Sequence, residues 1–104
     1  MKLYSVENLS NVKVEEYLGI VKGEIVQSKH FGRDFMAGMK TIVGGEIKGY
    51  TEMIEEAREI ATERMVEEAT KLGANAIIGI KYSTSAVMQG AAEILVYGTA
   101  VKIK

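Results

Sequence analysis

The side chains whose types and spacing could do chemistry are concentrated between His30 and Asp34. Arg33 and Asp34 are adjacent and stand among phenylalanine and methionine residues. A guanidinium can bind a small anion while a neighbouring carboxylate orients it, and such a ligand would lie near Arg33, Asp34 and Tyr50, between subunits. A structural role is the alternative: Asp34 caps a short helix, or pairs with Arg33 or with another subunit to fix an interface.

His30 is the single histidine of the chain. Its ordinary pKa, near ~6.5, suits a general base. Catalysis would also need a nucleophile or acid partner, which the spacing does not place. An enzyme of unknown class using Asp34 or His30 with Arg33 is therefore one hypothesis, and an exposed loop histidine is the other.

The donor set argues against a heavy-metal site within one subunit. Soft metals prefer thiolates or clustered imidazoles, and the chain has no cysteine and only His30. A ring of subunits could still gather one His30, or one acidic residue, from each copy around its axis. We assign no metal ligands and expect no cofactor.

Composition excludes several classes of function. Thirteen basic and fourteen acidic residues give a net charge of −1, so there is no basic excess for binding nucleic acid. No apolar run approaches the ~20 residues of a membrane span, and the N-terminus lacks a signal peptide's apolar core, so we expect a soluble cytoplasmic protein. The glycine-rich stretch 44–49 matches neither phosphate-binding fingerprint.

A long helix followed by a strand organises the rest of the chain. One apolar stripe recurs at three- and four-residue steps, formed by Ile54, Ala57, Ala61, Met65, Ala69 and Leu72. Thr51 is a possible N-cap, and Gly73 is placed to end the helix. The apolar run after Gly73 predicts a strand over Ala74–Ser83, with a turn at residues 88–90.

Two further strands complete the pattern. Residues 12–26 are β-rich, and Gly19 and Gly23 on one face indicate a bulge, a bend or the close approach of a helix. The last strand, residues 93–103, is apolar on both faces and needs a second cover. A short helix around Arg33–Val43 or a neighbouring subunit could supply it, and Leu3 to Val6 could form a brief edge strand.

These elements predict a single α+β domain over residues 1–104. Its fold is a βαββ two-layer subunit: a three-stranded, mainly antiparallel sheet with the last strand in the middle, packed on one long helix and preceded by a short helix. Open sheet edges, and a connecting segment from Gln27 to Tyr50 that is rich in large apolar residues, predict self-association. The expected interface residues are Phe31, Phe35, Met36, Met39 and Ile42.

Several segments, taken together and in order, resemble the YbjQ-like family. They read RDFMAG, IVGG, AREIA, GANAIIGI and GTAVK, and the resemblance covers nearly the whole chain. Members are uncharacterised proteins labelled heavy-metal-binding. The resemblance implies a dodecin-like βαββ subunit assembled into a ring, usually a homopentamer, with face-to-face pairing into a decamer possible. It implies no established reaction, which leaves a structural or small-ligand-binding module, a metal-binding protein and an enzyme as the hypotheses.

Overall fold

The computed structural model describes residues 1–28, 42–43 and 46–104, and these form an α+β arrangement. The elements in chain order are β1 (Lys2–Leu3), β2 (Val14–Ser28), β3 (Ile42–Val43), β4 (Glu46–Ile47), α1 (Lys48–Lys71), β5 (Ala76–Met88) and β6 (Ala91–Ile103). The predicted turn at residues 88–90 is confirmed, because β5 and β6 are joined by Gln89 and Gly90, and Gly90 has a φ of 78°.

The main sheet has four strands in the order β1-β5-β6-β2. The last strand lies between β5 and β2 and is antiparallel to both, as predicted. The prediction of three strands was wrong because the N-terminal segment adds a parallel strand to β5. Its pairing continues past β1, with Tyr4 N–H donating to Ile77 O (2.9 Å) and Gly79 N–H donating to Val6 O (2.8 Å).

A separate two-stranded ribbon joins β3 to β4, with Ile42 opposite Ile47 and Val43 opposite Glu46. The predicted helix over Arg33–Val43 therefore does not extend to its proposed end. Ile42 and Val43 are both β-branched, and such residues favour extended backbone over helix. The remainder of that predicted helix lies outside the described residues.

Helix α1 begins at Lys48, so the prediction that Thr51 caps it was wrong. Its other end was predicted correctly. Gly73 has a φ of 86°, in the left-handed region. Gly73 N–H donates to Thr70 O (3.0 Å) and Ala74 N–H donates to Ala69 O (3.1 Å). This pair of bonds is the Schellman motif, which satisfies carbonyls that the last helical turn leaves free.

The apolar stripe of α1 packs against one face of the sheet, which we call the helix face. Ala57, Ala61, Met65 and Ala69 are buried there together with residues of β2, β5 and β6. Ile54 is partly buried, but Leu72 is 45% exposed, so its place in the stripe was wrong. Leu72 follows the last helical residue, where the chain is already leaving the sheet.

Gly23 allows α1 to lie close to β2, which was one of the three alternatives that the sequence left open for the strand glycines. A Cβ built on Gly23 would stand 2.6 Å from Met65 N and would overlap the carbonyl oxygen of Ala61. Only a residue without a side chain leaves room for the helix backbone at this point. The helix therefore sits directly on the strand, with Ala61 and Met65 fully buried.

The opposite face of the sheet, the back face, is covered over only part of its length. Ala76, Ile78, Val101 and Ile103 are buried there, and the N-terminal segment packs on them through Tyr4, Leu9, Val12 and Val14. The second cover was predicted to come from the short helix or from another subunit. Over this part of the back face it comes from the chain's own N-terminus, whose alternation was too weak to indicate a packed segment.

Candidate functional site

Most of the predicted site residues lie outside the described residues. These are His30, Phe31, Arg33, Asp34, Phe35, Met36 and Met39. Ile42 is described only as backbone of β3, and Tyr50 is partly buried near the start of α1. The ligand and interface roles given to these residues stay predictions.

Two backbone irregularities meet on the back face at Thr99 in the central strand. On one side, the register of β2 against β6 shifts between Tyr17 and Gly19, where Gly19 has a φ of 113°. On the other, the register of β5 against β6 shifts between Ile78 and Lys81, which flank Gly79 with its φ of 64°. Bulges redirect side chains and are common next to binding sites.

A groove of about 520 Å³ lies between these irregularities. Its volume falls within the range of small-molecule sites, roughly 300–1,000 Å³. The N-terminal segment supplies one wall and β2 supplies another, over a floor formed by β5 and β6. The lining residues are Glu7, Asn8, Tyr17, Ile20, Ile78, Gly79, Lys81, Tyr97, Gly98 and Thr99.

The apolar part of this groove is unusually open to solvent. Ile20 is 78% exposed, Tyr17 is 68% exposed and Tyr97 is 38% exposed. Neighbouring strands bring them together, since Ile20 lies opposite Thr99 and Tyr97 lies opposite Lys22. Two phenol rings and one branched aliphatic chain therefore form an apolar surface that the described residues leave uncovered.

The charged part of the groove is a single ion pair. Lys81 Nζ lies 3.1 Å from Glu7 Oε1, and the two side chains are 52% and 73% exposed. The N-terminal segment positions Glu7 because Gly79 N–H bonds to Val6 O and Ile80 N–H bonds to Tyr4 O (3.1 Å). The groove offers surfaces for binding but no nucleophile paired with a base.

Sequence reasoning missed this groove. Gly19 was recognised as a possible bulge, but the second irregularity at Gly79 lies in a strand that reads as a regular buried run. Glu7 reaches the site only because the N-terminal segment pairs with β5, and no local pattern indicated that pairing.

Among the described residues, the outer edge of β5 has no neighbouring strand over its distal half. The N-terminal segment pairs along β5 only as far as Ile80, and no other described strand lies beside Tyr82–Met88. Every residue from Lys81 to Gln89 is exposed. Residues 82–92 contain no charge and no proline. Natural edge strands are commonly protected by such residues, so this edge lacks the usual barrier to pairing with another chain.

The other edge strand, β2, differs in charge. It bears Glu15, Glu16, Lys22 and Glu24, all exposed, together with the exposed Val26. Lys22 Nζ lies 3.6 Å from Glu24 Oε1. This edge therefore carries charged side chains, which the segment Tyr82–Met88 of β5 lacks.

The outer face of α1 is acidic, because its glutamates at positions 55, 56, 59, 63, 67 and 68 are all exposed. Arg64–Glu68 and Glu67–Lys71 have the four-residue spacing of helical ion pairs, but neither is among the ion pairs of the described residues. Arg64 Nη1 instead donates to the carbonyl oxygen of Glu24 (2.7 Å), which ties the helix to β2.

The described residues contain no group of three or more histidine, cysteine, aspartate or glutamate side chains that could hold a metal ion. No helix within the described ranges combines the length and apolar character needed to cross a membrane.

Comparison with known proteins decides the family. A family model described as "Putative heavy-metal-binding" matches residues 1–104. The chain belongs to this YbjQ-like family. A UPF0145 protein of Helicobacter hepaticus is 66% identical over 99% of this chain and 98% of its own length. One from Thermotoga maritima is 59% identical over 100% and 98%, and one from Thermus thermophilus is 56% identical over 96% and 88%.

A solved structure supports the fold. A protein of unknown function from Pediococcus pentosaceus, assigned to the DUF74 family, superposes with a TM-score of 0.63 over 100% of this chain and 98% of its own. Its sequence is 18% identical, so the likeness speaks to the arrangement of helix and sheet alone.

Proposed function

We propose that the chain is a subunit of a homo-oligomer that serves as a structural or small-ligand-binding module. The observation that carries the proposal is the open, uncharged edge of β5 from Tyr82 to Met88. An exposed strand with free backbone donors and acceptors pairs readily with another strand, and nothing in its sequence opposes that. A second copy of the chain is the partner always present at matching concentration.

The two open edges favour a ring over a two-fold dimer. Pairing one β5 edge with another would leave β2 open in both copies. Pairing β5 of one copy with β2 of the next covers both edges with a single type of contact. Contacts between unlike surfaces give a ring where the rotation between neighbours closes, and an open filament where it does not. A closed ring is the form that the family resemblance implied; its dodecin-like character, the homopentamer and the face-to-face decamer rest on that resemblance.

Light scattering after size exclusion tests the assembly. Ser85→Lys places a charge in the open edge, and we expect it to lower the mass of the particle. Ser10→Lys is the matched control, because Ser10 is also exposed but belongs to no strand. A wild-type mass equal to that of one chain would overturn the proposal. So would a Ser85→Lys protein that keeps the wild-type mass while remaining folded by circular dichroism.

The predicted interface residues Phe31, Phe35, Met36, Met39 and Ile42 are part of the same proposal. Dense phenylalanine and methionine in a connecting segment is typical of a surface that another chain buries. Phe35→Asp is expected to reduce the mass in the same assay. An unchanged mass would remove these residues from the interface and leave the strand edges to account for it.

The small-ligand role is assigned to Arg33, Asp34 and Tyr50, between subunits. A guanidinium beside a carboxylate suits a small anion, because it offers paired donors in a fixed geometry. A thermal-shift screen of small carboxylates and phosphates, run in parallel on wild type and Arg33→Ala, tests it. A stabilisation that survives Arg33→Ala would exclude this residue as the anion ligand.

The family's description raises metal binding as a second candidate. The described residues do not fit a heavy metal, since the chain has no cysteine and the described part holds no cluster of three ligands. What remains is a site shared by copies of His30 on a ring axis. Elemental analysis of tag-free protein, beside His30→Ala, tests it: metal in stoichiometric amount that disappears in the variant would support the shared site.

A further inference from the structure

We propose that the groove on the back face binds a small aromatic anion. This site is separate from Arg33 and Asp34, and it does not depend on the proposed assembly. Its parts come from three places in the chain that meet only in the folded state: the N-terminal segment, β2 and the β5–β6 hairpin.

The walls suit a flat apolar group. Tyr17, Ile20 and Tyr97 line the groove with exposed side chains, and its lining also contains Ile78 and the backbone of Gly98. Aromatic side chains pair favourably with other rings by stacking or by edge-to-face contact. A bound ring would cover the side chains of Tyr17 and Ile20, which the described part of the chain leaves exposed.

The bulges give the groove its shape. Gly79 has a left-handed φ of 64°, and a Cβ built there would meet only Glu7 Cγ at 3.4 Å. On the facing strand, the register shift after Tyr17 brings Ile20 opposite Thr99. The two irregularities therefore lie on either side of Thr99, next to the groove. Bulges bend a strand and re-aim its side chains, which accounts for their position beside a binding surface.

The charge of the ligand follows from Lys81. Its ammonium lies at the rim, and its only ion-pair partner among the described residues is Glu7. Exposed pairs of this kind are weak, so an incoming anion can replace the Glu7 carboxylate at little cost. The Glu7 side chain is 73% exposed and the Lys81 side chain is 52% exposed, so Glu7 is the partner that can turn into water at less cost. That movement leaves the Lys81 ammonium at the groove, where it favours an anion over a cation. The hydroxyl of Thr99 and the amide of Asn8 provide neutral hydrogen-bonding groups for the polar end of the ligand.

Fluorescence titration of the intact protein tests the proposal with two probes that differ in charge. 8-Anilinonaphthalene-1-sulfonate carries an aromatic body and an anionic group, while N-phenyl-1-naphthylamine has a similar body without charge. We expect the anionic probe to bind more tightly, and its advantage to shrink as salt is added. Absence of binding by the folded wild-type protein would overturn the proposal.

Variants locate the site and distinguish the contribution of its ion pair from that of its apolar wall. Lys81→Gln should weaken the anionic probe about fivefold and leave the neutral one unchanged. Glu7→Gln should strengthen the anionic probe, because it removes the competing carboxylate. Ile20→Ser should weaken both probes about tenfold through lost apolar contact. Leu72→Ser is the matched control, an exposed apolar residue away from the groove, and should change neither.

The same variants distinguish this site from the proposed assembly. If Ile20→Ser lowers the particle mass, the groove belongs to a contact between copies and the ligand proposal is wrong. If Leu72→Ser weakens the probes as much as Ile20→Ser does, binding is non-specific and the proposal also fails. Loss of probe binding at unchanged mass supports the ligand site, whatever the number of subunits.

Discussion

Replacing Gly23 with alanine is the sharpest test of how the helix sits on the sheet. The added Cβ would stand 2.6 Å from Met65 N and closer still to Ala61 O. Ordinary contact needs ~3.5 Å, so the helix would have to move away by about 1 Å or more. Both obstructing atoms are helix backbone, which cannot swing aside as the end of a side chain can. The movement would loosen the buried packing around Val21 and Ala57.

Overpacking a core costs about 1–3 kcal/mol, and a clash with helix backbone belongs at the upper end. A loss of about 3 kcal/mol would lower the melting temperature by roughly 12–20 °C for a domain of this size. Urea unfolding at fixed protein concentration measures the loss in the free energy of unfolding. Fixed concentration matters because the stability of an oligomer depends on it.

Gly98→Ala is the matched control for Gly23→Ala. A Cβ on Gly98 would meet Ile77 Cγ2 at 2.8 Å, Ile78 O at 3.0 Å and Ile80 Cγ1 at 3.1 Å. Two of these atoms belong to side chains that can adjust, so we expect a smaller loss, about 1–2 kcal/mol. The prediction is refuted if the free energy of unfolding of Gly23→Ala lies within about 1 kcal/mol of the wild-type value, or if Gly98→Ala loses more stability than Gly23→Ala. Either result would mean that the helix does not lie so close to β2 at Gly23.

Three further changes test local contacts. Asn75→Ala should cost about 1–3 kcal/mol, because its amide donates to Ile103 O (2.8 Å) and accepts from Ile103 N (2.7 Å); faster hydrogen exchange at the Ile103 amide would report the loss, and an unchanged rate would contradict it. Gly73→Ala should cost about 1 kcal/mol in urea unfolding, because alanine disfavours a φ of 86°, and a stabilised variant would argue against the left-handed helix end. Lys81→Gln should change stability by less than about 0.5 kcal/mol, since its pair with Glu7 is exposed; a larger loss in the same assay would show that the pair holds the N-terminal segment in place.

The order of the main elements followed from the sequence because the governing patterns are local. The stripe of Ala57, Ala61 and Met65 repeats at helical spacing, and Gly73 marks the helix end by a conformation that few other residues adopt. The apolar character of the last strand on both faces placed it centrally. Gly23 could be interpreted because a strand glycine under an amphipathic helix has a physical reason to be there.

A brief N-terminal edge strand was expected, but its pairing with β5 as a fourth strand and the groove did not follow, because they depend on contacts between distant positions. Lys2 and Leu3 pair with Ala76 and Ile77 across most of the chain. Nothing in a two-residue strand indicates its partner, since pairing is set by backbone bonds that every sequence can make. The prediction that Thr51 caps the helix was wrong because a residue suited to cap a helix is also tolerated within its first turns.

The apolar side chains of β2 that remain exposed lie on one part of the back face. Near Ile78 and Val101 the N-terminal segment covers the back face, as α1 covers the helix face. Farther along β2, no described part of the chain covers Ile20, at 78% exposed, or Val26, at 60%. An apolar side chain left in water forgoes about 1.5–3 kcal/mol of burial free energy, so a molecule that covers either residue gains part of it. Ile20 lies beside a cation in a groove sized for a small molecule, whereas Val26 lies on an open strand edge, which suits another copy of the chain. One uncovered face can therefore serve both recognition and assembly, at different residues.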